Sequence, residues 1–156
     1  MLKVTDLNAF YGESHVLLDI SVYVEQGEVV VMLGPNGHGK STLLKHLIGL
    51  LRPRSGQVLI DGKDIANCDE KTFQNVLRKF GVLYQSGALW SSMTLAENVS
   101  IPLEEYTDLN SSQIKELVSL KLSLVALAGF EEFYPSEISG GMRKRAGLAR
   151  AMALDP

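Results

Sequence analysis

The spacing of apolar residues changes several times along the chain, and each change marks an element. Leu2 to Leu7 and Val16 to Val24 partly alternate apolar with polar positions and are rich in β-branched residues, which predicts two strands. Gly27 breaks the pattern. Val29 to Leu33 is apolar throughout, which predicts a short strand buried on both faces, as in the middle of a parallel sheet. A glycine-rich turn follows. Leu43, Leu44, Leu47, Ile48 and Leu51 then recur at helical spacing, and Pro53 is expected to stop that helix. Gln57 to Ile60 reads as a strand closed by an Asp61-Gly62 turn, and Val82 to Tyr84 as another short strand.

From Thr94 to Glu132 the pattern is mainly helical. Thr94 with Glu97 matches a capping box, and Asn110 with Gln113 is a weaker version of one. Ile114, Leu117, Val118, Leu124 and Val125 supply the apolar stripe. A last helix is expected from Gly141 to Ala153. There is no internal repeat, low-complexity tract or long linker. Subdomain edges are expected near Ser86 and Pro135. They divide a β core that includes the glycine-rich turn (about 1–85 and 136–156) from a helical subdomain (about 86–135).

Composition narrows the function. A chain of 156 residues is long enough for one ordinary domain, and 46% apolar with 21% charged residues excludes disorder as the main state. Net charge is −3 and pI near 5.6. That argues against nucleic acid as a partner, which wants a basic footprint, while leaving room for a local anion site. The single cysteine, Cys68, allows no internal disulfide, fits a reducing cytosol and reads as a spectator thiol. Lys3, Asp6 and Asn8 among the first residues do not make a signal peptide. The run Val29 to Leu33 is far short of the ~20 residues that span a bilayer. Any membrane path would therefore belong to a partner.

The glycine-rich turn carries the chemistry. Gly34, Pro35, Asn36, Gly37, His38, Gly39, Lys40 and Ser41 satisfy G-x-x-x-x-G-K-[ST], between an expected buried strand and an amphipathic helix. The glycines let amide N–H groups approach phosphate oxygens, and the helix start offers unpaired N–H groups with about half a positive charge. Lys40 is expected to reach the β- and γ-phosphates. Ser41, with Thr42 nearby, is expected to ligate Mg²⁺. The fixed positions would coincide by chance in under about one per cent of such chains, so a casual glycine turn is a poor alternative. His38 reads as an imidazole turned to solvent, because the loop binds through its backbone. A pH-sensitive contact to phosphate is its sharper alternative.

Three further features single out one family of P-loop proteins. Ile138, Ser139, Gly140, Gly141 and Met142 resemble the Leu-Ser-Gly-Gly-Gln signature of ATP-binding cassette (ABC) ATPases. Gln85, after Val82 to Tyr84, resembles that family's Q-loop glutamine. Tyr11, before Gly12, resembles the aromatic residue that stacks on adenine. The resemblance covers Leu2 to Pro156. It implies an α/β fold, a P-loop NTPase core of ABC type with an antiparallel β subdomain and a helical subdomain. It implies ATP and Mg²⁺ as cofactors, with Gln85 touching Mg²⁺ or the water beside it. It also implies a head-to-tail homodimer with a second ATPase subunit, in which Ser139, Gly140, Gly141 and Met142 face the γ-phosphate of the partner's ATP. A helix starting there would be a second anion-binding N-terminus. Met142 departs from glutamine and cannot donate a hydrogen bond, so the amides and Ser139 would carry that contact.

Gln85 to Leu89, with Ser139 to Arg145, is similar to the ATPases of lipid-transport systems partnered with mammalian-cell-entry (MCE) proteins, the Mla type. That implies a transmembrane permease partner, an MCE-type substrate-binding protein, phospholipid as the cargo, and a place on the cytoplasmic face of the inner membrane. Alternatives are an ABC ATPase without a membrane partner, a transporter of a non-lipid substrate, and a nonenzymatic nucleotide-binding module. Arg143, Lys144 and Arg145 read as a solvated helix face, although Arg145 and Arg150 match arginines that follow the family signature. Trp90 reads equally as a packed aromatic or as a surface for the permease. In the family an apolar strand with an aspartate and the catalytic glutamate comes next, then a histidine switch. None is found before Pro156, so the chain is expected to bind nucleotide without hydrolysing it and to self-associate through open strand edges.

Overall fold

A computed structural model describes residues 1–156, which form two compact units, Met1–Val76 and Leu77–Pro156. The first is built on an antiparallel sheet. Strands β1 (Leu2–Tyr11) and β2 (Ser14–Val24) form a hairpin, and β3 (Ser55–Ile60) pairs with the other edge of β1. A short β4 (Lys63–Asp64) follows the Asp61-Gly62 turn, giving the order β2-β1-β3-β4. The partial alternation read in the sequence is interrupted by irregular pairing of β1 with β2 between Val4 and Leu7. Val4, Leu7, Ala9, Leu17 and Val58 are buried and the residues between them largely face water.

Helix α1 (Lys40–Leu47) bears on this sheet through buried Leu43 and His46. It ends earlier than Pro53. Gly49 takes φ 74°, its N–H donates to His46 O at 3.1 Å, and Leu50 N–H donates to Lys45 O at 2.8 Å. This is a Schellman closure, which needs a left-handed residue and so stops the helix before proline can. A short helix α2 (Glu70–Leu77) adds to the elements that the apolar pattern predicts. It is started by Asp69, whose carboxylate accepts Thr72 N–H at 2.9 Å and the Thr72 hydroxyl at 2.8 Å. Those two bonds hold the Asp69 carboxyl below the usual carboxylate value.

Two expected strands do not form. Val29 to Leu33 carries no ladder, and Val29 and Leu33 are 92% and 89% exposed. Val82 to Tyr84 likewise forms no strand. A parallel strand is held by neighbours on its flanks, and none of the four paired strands lies along either segment.

The second unit packs three helices, α3 (Leu95–Tyr106), α4 (Ser111–Leu124) and α5 (Gly140–Ala151), around Leu95, Val99, Leu103, Val118, Leu122 and Leu127. Both capping boxes are present. Thr94 Oγ1 accepts Glu97 N–H while Glu97 Oε2 accepts Thr94 N–H, and Asn110 exchanges the same pair with Gln113. No helix is long and apolar enough to cross a membrane.

Asn98, fully buried, organises the segment before α3. Its Oδ1 accepts Trp90 N–H at 2.7 Å, and its Nδ2 donates to the carbonyls of Trp90, Met93 and Thr94. The Trp90 ring is 62% exposed, so it is not a packed aromatic. Asn98→Ala should orphan these backbone groups and destabilise the second unit by about 3 kcal/mol, whereas Trp90→Ala should cost less than about 1 kcal/mol. Urea unfolding followed by circular dichroism checks both.

Candidate functional site: a phosphate cradle and a second capped helix

The β1–β2 hairpin pairs Tyr11 with Ser14, which puts Tyr11 at its tip, half-exposed. Behind it, the Phe10 and His15 rings stack at 4.1 Å with a 9° interplanar angle and stiffen the tip. Tyr11 and Gly12 line an open cavity of about 770 Å³ together with Thr42, His46, Arg52 and Arg54. The structure therefore gathers the hairpin aromatic and the first turn of α1 around one space. Sequence pattern does not single out Arg52 and Arg54, because their loop reaches this cavity only through sheet pairing. Arg54 N–H donates to Asn8 O on β1.

Residues Gly34 to Gly39 form an exposed loop that ends in the buried Gly39. Gly39 has φ 78°, and a Cβ there would lie 2.7 Å from Leu17 Cδ2 and 3.2 Å from Val16 O. It is thus glycine for two reasons, conformation and contact with β2. The Lys40 ammonium bends back over the loop and donates to Gly34 O at 2.6 Å and Pro35 O at 2.7 Å. His38 stays exposed, its Nδ1 3.3 Å from Asn36 O.

No side chain caps α1 and no acidic residue sits in its first turn. Helices α3, α4 and α5 all carry a side-chain cap. The first turn of α1, half-buried at Lys40 and Thr42, thus keeps N–H groups for an outside acceptor, with Lys40 beside them. Ser41 is exposed in the same turn. No three His, Cys, Asp or Glu residues cluster as a metal cage. A Mg²⁺ ion suits what is present. Such an ion keeps waters and takes phosphate oxygens with one or two protein oxygens, and the Ser41 hydroxyl is the side-chain oxygen that would hold it here.

In the second unit, Ser139 caps α5. Its Oγ accepts Met142 N–H at 3.3 Å, which leaves its own O–H free to donate outward. Gly140 and Gly141 follow, both exposed. Ile138 is buried in the helical core and Met142 packs against it, so the residue in place of glutamine serves packing. Arg143 is not part of a solvated face. Its Nη1 donates to Pro135 O at 3.2 Å and Ile138 O at 2.8 Å, which ties down the turn that leads into Ser139. Lys144 and Arg145 are exposed, as is Gln85.

Comparison with known proteins bears on this arrangement. The family model described as "ABC transporter" matches residues 17–156. The chain is 51% identical over 155 residues to the "Probable ribonucleotide transport ATP-binding protein mkl" of Mycobacterium leprae, covering 99% of this chain and 45% of that protein. It is 39% identical over 156 residues to the "Intermembrane phospholipid transport system ATP-binding protein MlaF" of Haemophilus influenzae, covering 100% of this chain and 59% of the relative. The chain spans about half the length of the curated relatives it matches. Among solved structures it superposes on a dimeric bacterial ABC transporter cassette, MJ0796, with a TM-score of 0.91 and 29% identity over 100% of this chain and 71% of that one.

The two glycines of the loop should respond differently to a methyl group. Gly37 has φ 84° with nothing within 4 Å of where a Cβ would stand, so Gly37→Ala meets backbone strain alone, about 1 kcal/mol. Gly39→Ala adds the collision with Leu17 and should cost about 3 kcal/mol. Denaturant midpoints of the two variants measure the difference.

Proposed function

The chain belongs to the ABC transporter family, and on that premise we propose that it is the ATP-binding part of a transport ATPase. In the full-length subunit ATP hydrolysis is coupled to transmembrane transport of phospholipid. The observation that carries this is the uncapped N-terminus of α1, with Lys40 bent over the loop before it. A polyphosphate would pair the free N–H groups, draw Lys40 from the loop carbonyls to its own oxygens, and bring Mg²⁺ to Ser41. Tyr11 would then stack on the base from across the cavity that it shares with Thr42.

Gln85 has the role of touching Mg²⁺ or the water beside it. Ser139, Gly140, Gly141 and the backbone of Met142 meet the γ-phosphate of ATP held by a second subunit, head to tail. The free Ser139 O–H and the start of α5 suit that role. The relatives' names divide between ribonucleotide and phospholipid. Gln85 to Leu89 and Ser139 to Arg145 favour the second, because they are similar to ATPases that work with MCE proteins. The partners are a transmembrane permease and an MCE-type substrate-binding protein, and the subunit sits on the cytoplasmic face of the inner membrane. Residues 1–85 with 136–156 serve as the nucleotide-binding core and 86–135 as the helical subdomain.

Binding and turnover separate in this chain. Hydrolysis needs a group that orients water and a carboxylate near Mg²⁺. After Gly141 the only carboxylate side chain is Asp155, and it pairs with buried Lys121. This stretch therefore holds nucleotide, while turnover requires the part of the relatives' length that it does not span.

Two substitution sets test the nucleotide site in the full-length subunit. By calorimetry, Lys40→Ala should weaken Mg-ATP binding about a hundredfold. Tyr11→Ala should weaken it about tenfold while Tyr11→Phe leaves it within about twofold. Equal losses for both Tyr11 variants, or unchanged affinity without the Lys40 ammonium, would remove that site.

Ser139→Arg separates the two helix starts. It should leave ATP affinity of the monomer unchanged, abolish ATP-dependent dimerisation in size-exclusion chromatography with light scattering, and reduce turnover by about a hundredfold or more. Normal turnover in that variant contradicts the head-to-tail arrangement.

A further inference from the structure

The segment that carries Gln85 lies against α5 closer than side chains would allow. A Cβ on Gly81 would collide with the Ala151 carbonyl. One on Gly87, at φ 79°, would lie 2.6 Å from Arg143 O, and one on Gly147 would lie 2.7 Å from Gly87 Cα. Backbone therefore meets backbone on both sides of Gln85. Arg150 closes the seam, its Nη2 donating to Gly87 O at 2.9 Å. Its guanidinium is half-buried. That burial lowers its pKa from the ordinary value, against the opposing effect of the Tyr84 phenol.

Gly87 is buried, so its carbonyl needs a donor from the protein, and partly desolvating a guanidinium to supply one is costly. What a guanidinium adds is direction, because its donors form a rigid planar fork. Here the fork holds a carbonyl two residues beyond Gln85, while Tyr84, immediately before Gln85, interacts with the same charge. The other end of α5 begins at the Ser139 cap, and Arg143 fastens the turn before it.

We propose that Arg150 is a positioning residue for turnover, fixing the Gln85 loop to the helix that presents Ser139, so that the two functional groups move as one body. This rests on the roles given above to Gln85 and Ser139. The seam puts the group beside one ATP and the group that meets the partner's ATP on one rigid support. A dimer with Ser139 seated on the partner's phosphate then has Gln85 in place as well. Loosening the seam leaves nucleotide binding intact and removes that agreement.

The test is steady-state turnover and ATP affinity of the full-length subunit carrying Arg150→Met, Arg150→Lys, Gly147→Ala, Gln85→Ala, or Gln85→Ala combined with each of the first and third. Arg150→Met should lower kcat about tenfold with KM for ATP within about twofold, and Arg150→Lys should recover part of the loss. Gly147→Ala gains helix propensity but sets a methyl 2.7 Å from the Gly87 backbone and pushes the Gln85 loop off α5, so it should lower thermal stability and reproduce the fall in kcat with KM for ATP within about twofold. If Arg150→Met does not fold, Gly147→Ala and its combination with Gln85→Ala carry the test. Each combined variant should turn over no more slowly than Gln85→Ala alone. Losses that multiply, with Gln85→Ala itself impaired, would overturn the seam and leave the role of Gln85 standing. Full turnover in Gln85→Ala would remove both.

Discussion

Backbone N–H and C=O groups must find partners, and in this protein the way each segment meets that demand decides what it becomes. Strands β1 to β4 meet it with one another. Helices α3, α4 and α5 meet it at their starts with Thr94, Asn110 and Ser139. Helix α1 does not, since Gly39 has no side chain to offer. The free donors of that first turn, beside the Lys40 ammonium, make an anion the natural partner. The rest of the first unit serves their placement, with Gly39 wedged against β2 and Tyr11 held out at the hairpin tip.

The same demand explains which parts are legible in the sequence. Capping boxes are local, since residues three apart either match or do not, and both predicted ones form. The P-loop is local in the same sense. The apolar runs Val29 to Leu33 and Val82 to Tyr84 suggest strands that do not form, because a strand is defined by its neighbours and hydrophobicity does not supply them. Helix α2 goes unpredicted although Phe73, Val76 and Leu77 stand at helical spacing after the Asp69–Thr72 start, because eight residues give the pattern only two turns to repeat. Arg143, Arg150 and Asn98 act through carbonyls on other turns, and nothing in residue type tells which carbonyl. The site is therefore legible where backbone and spacing carry it, and illegible where a long side chain reaches across the fold.

Met142 shows how far the backbone can stand in for side chains. In the family pattern a glutamine follows the two glycines. Here a methionine follows and packs with Ile138 on the helical core. If that side chain were needed to hold phosphate, the substitution would disable the signature. Instead the Met142 N–H is bonded to Ser139 Oγ, and the Ser139 O–H remains available with the first turn of α5. On the function proposed above, the anion contact is carried by groups that the side chain at 142 does not change. A thioether there strengthens the support of the turn without altering its chemistry.

That division of labour sets a different requirement on the supports. Backbone donors have no rotamers with which to adjust, so their aim is only as good as the placement of the turn that holds them. The first unit secures its turn by close contact, Gly39 against Leu17 and Val16. The second uses two arginines, one at each end of α5. Arg143 fixes the approach to Ser139 through Pro135 and Ile138, and Arg150 fixes the loop after Gln85 through Gly87. Lysine is a poor substitute in either place, because an ammonium on a flexible stem does not fix the direction of its donors as a planar guanidinium does. Lys40 has the opposite task. On the function proposed above, it leaves the carbonyls of Gly34 and Pro35 for a polyphosphate, and a compact charge on a long stem can follow such a ligand. The choice of cation at each position follows from whether the group has to hold still or to move.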